Sequence, residues 1–148
     1  PRREQSSTLI LELAQLERAF AEVYDGPGVE GEQILEAQGL GRAPSAAWLE
    51  ARFDPAPCLR LMRSHFPIGS YLGAVRSGAE PPMPLPRESF LALCRENWVV
   101  SITELSQSQY AVLEALASGH TLRQIDEPAA WEWLGDWTAR GFFRRVAQ

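Results

Sequence analysis

Two short alternating runs placed back to back, followed at once by a capped helix, constrain this chain most. Phe90–Arg95 and Trp98–Thr103 flank Glu96-Asn97. Asn tolerates positive φ, so the spacing predicts a β-hairpin closed by Glu96-Asn97. In the second strand Trp98, Val100 and Ile102 fall on one face, and Val99, Ser101 and Thr103 on the other. Ser106 followed by Gln109 is the pattern of a capping box. It predicts a helix whose inner side carries Tyr110, Leu113 and Leu116, ended by Ser118-Gly119. Thr121 caps a very short helix over Leu122–Ile125, and Pro128 opens a third at the position that tolerates proline. Ala130, Trp133, Leu134 and Trp137 form its expected inner face, and Phe142-Phe143 starts a closing strand. The order from Ser89 to Val146 predicts an α+β winged helix: a small antiparallel sheet plus a three-helix cluster.

The residues before this stretch read as a helical extension over 1–50, with the winged-helix domain over 51–148. Leu9, Leu13, Leu16, Phe20 and Val23 recur at helical spacing, predicting a helix over 5–24 capped by Ser7 or Thr8 and stopped at Asp25-Gly-Pro-Gly28. The stripe is long enough to require burial against a missing N-terminal part or a partner. The chain starts at Pro1 without an initiator Met, which predicts that a preceding part exists. Glu30–Gln38 and Pro44–Ala51 are expected as short helices, Cys58–Arg63 as a strand and Ile68–Arg76 as a helix. Gly78–Pro86 is expected as a loop.

Charge narrows the partners. The chain carries a net charge of −5, and all fourteen basic residues are arginine. Duplex binding rests on neutralising phosphates, and an acidic domain without a basic stripe weighs against nucleic acid. Arg123-Gln124 is followed by Asp126-Glu127, with Glu132 and Asp136 beyond, a poor surface for a phosphate backbone. Cys58 and Cys94 lack CxxC partners; they could be neighbours across two strands, and the plainer reading is two reduced, buried thiols. No signal-peptide pattern occurs, and no apolar run nears the ~20 residues that span a bilayer. The expectation is a soluble, cytoplasmic protein.

Catalytic constellations are not evident. His65 and His120 have no ligand partner at i+3 or i+4, and GxSxG, HExxH and a phosphate-binding glycine loop do not occur. The reading is a non-enzyme with neither metal nor cofactor of its own. Three of the five tryptophans lie within Trp131–Trp137. Trp133 and Trp137 share a helical face. Trp131 is turned away from Trp133, partly buried or at an interface.

The segment WVVSITELSQSQYAVLEALASGHTLRQIDEPAAWEWLGDWTARGFF, from Trp98 to Phe143, resembles the second half of a PqqD-like domain, the peptide-recognition element of ribosomal-peptide biosynthesis. With LAQLERAFAEVYDG and LEARFDPAPCLRLMRSHFPIGSYLGAVR added, nearly the whole chain resembles the C-terminal part of the HvfC/BufC family. That family has been labelled DNA-binding, and its members include TglI-type partners of multinuclear non-haem iron oxidative enzymes. The resemblance implies a PqqD-like winged helix in a non-catalytic subunit, forming a heterodimer with such an enzyme and presenting a precursor (leader) peptide to it. The iron belongs to the enzyme. By position it implies peptide binding by Trp98, Val99, Val100, Ser101, Ile102 and Thr103, with Trp131, Leu134 and Arg140 from the last helix lining the same groove. Arg140, Arg144 or Arg123 would pair with an acidic leader. A DNA-binding transcriptional regulator is the alternative.

Overall fold

The computed structural model describes residues 2–147. The fold is mixed α+β, with five α-helices and two small antiparallel sheets among the described residues. The larger sheet has the order β2 (Arg60–Ser64), β3 (Ser89–Glu96), β4 (Val99–Leu105). The smaller pairs β1 (Arg52–Pro55) with β5 (Phe143–Ala147). The single sheet expected from the sequence is therefore two, because the closing strand pairs with β1 instead of extending the hairpin.

β3 sets the architecture. Every residue from Ser89 to Arg95 is buried, the signature of a strand covered on both faces. Leu91, Leu93 and Arg95 point one way, alongside Ile102 and Val100 of β4. Over this face lie α1 (Arg2–Asp25) and α3 (Ile68–Arg76). Gly69 of α3 approaches so closely that a Cβ there would lie 3.0 Å from Leu91 Cδ2 and 3.7 Å from Ile102 Cγ2. Phe90, Ala92 and Cys94 point the other way, towards α4 (Gln107–Ala117) and the end of α5 (Ala130–Ala139). Phe90 packs on Tyr110 with ring centroids 5.2 Å apart. The layers are helix, sheet, helix around one continuous core.

α1 buries its stripe within its own chain: Leu9, Leu16 and Val23, two turns apart, join that core. It also starts earlier than its expected caps. Ser6, Ser7 and Thr8 donate their hydroxyls to the carbonyls of Arg2, Arg3 and Glu4, bonds made inside a helix. Glu30–Gln38 is not a helix. Only Ala37–Gly39 winds into a 3₁₀ turn, and the Leu35 N–H donates to the Arg144 carbonyl, which holds this segment beside β5. α2 (Ala46–Glu50) is capped by Ser45, whose side chain accepts from the Trp48 N–H. The Ser106–Gln109 capping box forms in both directions, at 3.1 and 2.8 Å. α5 starts at Ala130, two residues beyond Pro128.

β1 lies where the prolines predict a break. It pairs from Arg52 to Asp54 and then slips register at Pro55, as expected for a residue that cannot donate to a ladder. Phe53 holds it in the core, between Trp48 and Phe143.

Candidate functional site: the free edge of β4

The β3–β4 turn is Asn97-Trp98, one residue later than expected. Both residues have positive φ, 49° and 66°, the signature of a type I′ turn, whose twist matches that of the hairpin. Trp98 is thus a turn residue and not the first residue of the strand. Asn adopts this region readily, whereas a tryptophan there is uncommon. Trp98 is nonetheless 69% exposed, and Val99 beside it 67%.

What steadies the tip is Arg95, a buried guanidinium on the central strand. Its Nη1 donates to the carbonyls of Val23 and Gly26 at 3.0 and 2.9 Å, and also to that of Tyr24. α1 has no basic residue in its last turn, so Arg95 supplies from another element the positive charge that a helix C-terminus favours. Its Nε and Nη2 donate to the two oxygens of Glu30 at 2.7 and 3.0 Å. Arg95 also lies 5.1 Å from the centre of the Trp98 ring, in cation–π range. Hydrogen bonding from Arg95 holds the Glu30 carboxyl down at about 2. The sequence reading passed over both residues, because the contact joins segments far apart in the chain and leaves no local signal.

Turn position decides which way the backbone of β4 faces. With Asn97-Trp98 as the two-residue loop, Glu96 and Val99 are the closing hydrogen-bonded pair, and such pairs alternate along the ladder. Val99, Ser101, Thr103 and Leu105 therefore aim their N–H and C=O groups at β3. Val100, Ile102 and Glu104 aim theirs outward. β4 is a terminal strand, and among the described residues no backbone hydrogen bond outside the ladder uses these three residues. The edge is open.

On one side of this edge, Gly69, Ser70, Leu91, Ile102 and Glu104 line a cavity of about 210 Å³ between α3 and the sheet. On the other side, Arg140 follows α5 and donates through Nη1 to Thr103 Oγ1 at 3.5 Å. The Ser101 hydroxyl turns inward to the Cys94 carbonyl at 3.4 Å. The structure therefore gathers Trp98 to Thr103 and Arg140 at one place.

Two expected residues do not join them. Leu134 has no exposed surface and is a core residue. Trp131 is half-buried at the opposite end of α5, roughly 13 Å along the axis from Arg140. There its ring packs against Trp48 at 6.2 Å and lines a separate cavity with Leu49, Leu122 and Ile125. Arg144 forms a two-pronged pair with Glu32, and Arg123 pairs with Glu50. Arg140 is thus the arginine of the expected three that lies at the edge.

Glu12 and His65 form a pair away from this edge. Buried Glu12 accepts through Oε1 from the His65 backbone N–H at 2.8 Å and sits 2.7 Å from His65 Nδ1. The nearby Thr8 hydroxyl is committed to Glu4. Among the described residues no group of three His, Cys, Asp or Glu side chains is placed to hold a metal, and no helix is long and apolar enough to cross a membrane. Compared with known proteins, the chain matches no family model, no curated protein and no solved structure.

Proposed function

We propose that this protein is a non-catalytic partner subunit that captures a ribosomally made precursor peptide by strand addition on β4 and presents it to a multinuclear non-haem iron oxidative enzyme. The observation that carries the capture step is the outward-facing, unpartnered backbone of Val100, Ile102 and Glu104. An extended segment added here gains a ladder from the main chain, while flanking pockets choose its side chains. β2 is the other terminal strand of this sheet, but it is shorter and presents only Leu61 and Arg63 outward. Charge does not separate the two edges, since Arg63 pairs with Glu88 on β2 and Glu104 with Arg87 on β4; the longer outward-facing run favours β4.

The order of hairpin, capped helix, 3₁₀ turn, helix and closing strand supports reading residues 89–147 as a PqqD-like winged helix. The enzyme partner and the nature of the peptide rest on the resemblance of the sequence to the HvfC/BufC family.

The test first looks for a short peptide gene beside the protein's own, then labels that peptide with a fluorophore and follows its anisotropy; finding no such gene counts against the reading. Val100→Pro removes an N–H that points away from β3, so the hairpin ladder stays whole. The lost guest hydrogen bond is worth about 1 kcal/mol net, and the ring obstructs the guest backbone besides, so affinity should fall about tenfold or more. Unchanged affinity in a folded Val100→Pro protein sinks the β4 assignment. Tight, sequence-dependent binding of duplex DNA with no peptide binding would favour the regulator instead.

A further inference from the structure

The two cysteines of the chain meet in the core. Cys58 lies in the turn between β1 and β2, and Cys94 on central strand β3. Both are buried, and their sulfurs are 3.5 Å apart. Cys58 Sγ also faces the Arg95 carbonyl at 3.6 Å, and Cys94 Sγ the Gly141 carbonyl at 3.8 Å. Each thiol therefore has its own backbone acceptor as well as the other sulfur.

We propose that Cys58 and Cys94 form a closable dithiol, a site of reversible disulfide formation that ties the β1–β2 turn to the central strand. A disulfide places its sulfurs about 2.05 Å apart, so closure shortens the present separation by roughly 1.5 Å, a shift within reach of side-chain rotation. The bond would enclose the segment from Cys58 to Cys94, which contains β2, α3 and the loop before β3. Cys94 stands opposite Ser101 in the β3–β4 ladder, so the clip sits one strand away from the free edge. The inference does not depend on what that edge binds.

The chemistry needs an oxidant small enough to enter a sealed site, and hydrogen peroxide fits. The Cys58 thiolate attacks one peroxide oxygen, the O–O bond breaks, and hydroxide leaves and takes up a proton to give water and a Cys58 sulfenic acid. Cys94 sulfur then attacks the Cys58 sulfur. The S–S bond forms, the S–OH bond breaks, and the hydroxyl leaves as water with the Cys94 proton. Two thiols are oxidised to one disulfide, and one peroxide is reduced to two waters. The order follows from the pair's asymmetry. With Cys94 donating to it, the Cys58 thiol is lowered, whereas Cys94 is pushed up by that same hydrogen bond and by burial. Access requires local opening of the β1–β2 turn, which the Ala56 N–H ties to the Phe142 carbonyl at 2.8 Å.

The full chain, reduced and then exposed to hydrogen peroxide, is examined for free thiols after denaturation, for cross-linked peptides, and for its thermal midpoint. Both thiols should disappear together, with a Cys58–Cys94 cross-link in the monomer. By the entropy of closing a loop of this length, the midpoint should rise by roughly 10 °C. Added dithiothreitol should reverse all three changes. Cys58→Ser and Cys94→Ala should each abolish the cross-link and the peroxide-dependent shift. The proposal is overturned if peroxide yields only sulfinic acid or intermolecular dimers. It is equally overturned if the thiols stay reduced until the protein unfolds as a whole, which would make them inert core residues.

Discussion

Trp98 offers a sharp test because its backbone and its side chain make opposite demands. A type I′ turn asks for glycine at its second central position, yet the chain places its most exposed tryptophan there at φ 66°. Holding a non-glycine residue in the left-handed region costs roughly 1–2 kcal/mol. The Arg95–Trp98 contact at 5.1 Å returns roughly 0.5–1 kcal/mol at an exposed site. Trp98→Ala loses that contact and keeps the strain, so it should destabilise by about 0.5–1 kcal/mol. Trp98→Gly loses the contact but relieves the strain, against roughly 0.4–1 kcal/mol for the greater freedom of glycine in the unfolded chain. Its stability should be close to that of the wild type. The glycine variant should therefore exceed the alanine variant by roughly 0.5–1 kcal/mol, or about 2–3 °C in midpoint, inverting their usual order. Urea unfolding followed by far-ultraviolet circular dichroism measures the difference, with anisotropy of the labelled peptide measured alongside. If alanine equals or exceeds glycine, the left-handed turn is wrong and the register of β4 with it. If both variants bind peptide as the wild type does, Trp98 has no part in capture.

Two further outcomes separate the edge from the core and from its clamp. Leu134→Ala should lower stability by about 2–5 kcal/mol, the range for emptying a buried leucine site, while the folded protein keeps its peptide affinity; a selective loss of binding would return Leu134 to the groove. Glu30, held down at about 2 against an ordinary 4.5, contributes stability that is fully present above 4.5 and lost as pH falls from 4.5 towards 2. The stability gap between wild type and Glu30→Gln should therefore close across that window, and a gap independent of pH would refute the Arg95–Glu30 clamp.

How much was legible followed the range of each interaction. α3 was readable to the residue, and so was the Ser106–Gln109 box, because each is decided within a few positions of chain. β1 was hidden because Pro55 and Pro57 suppress a local strand signal; it exists because β5, far along the chain, supplies the ladder and Phe53 the burial. Arg95 and Glu30 were invisible for a related reason. Nothing local says that a strand arginine will meet a helix end and a loop carboxylate. That Cys58 and Cys94 could be neighbours across two strands was readable; what places their sulfurs 3.5 Å apart is the folding of the turn before β2 against β3.

The most consequential miss was a single residue. A turn at Glu96-Asn97 would pair Arg95 with Trp98 and turn the backbones of Val99, Ser101 and Thr103 outward. The observed turn pairs Glu96 with Val99 and turns out Val100, Ile102 and Glu104 instead. Side-chain alternation along β4 is the same in both registers, which is why periodicity could not choose between them. Capping α1 does not choose either, because Arg95 keeps the same face in both registers; what differs is its cross-strand neighbour, Val100 in the observed register and Trp98 in the other. Trp98 is left to accept the strained turn position, steadied by the same guanidinium. The position of the turn, marked by the positive φ of Asn97 and Trp98, thus fixes which backbone groups any incoming strand would meet.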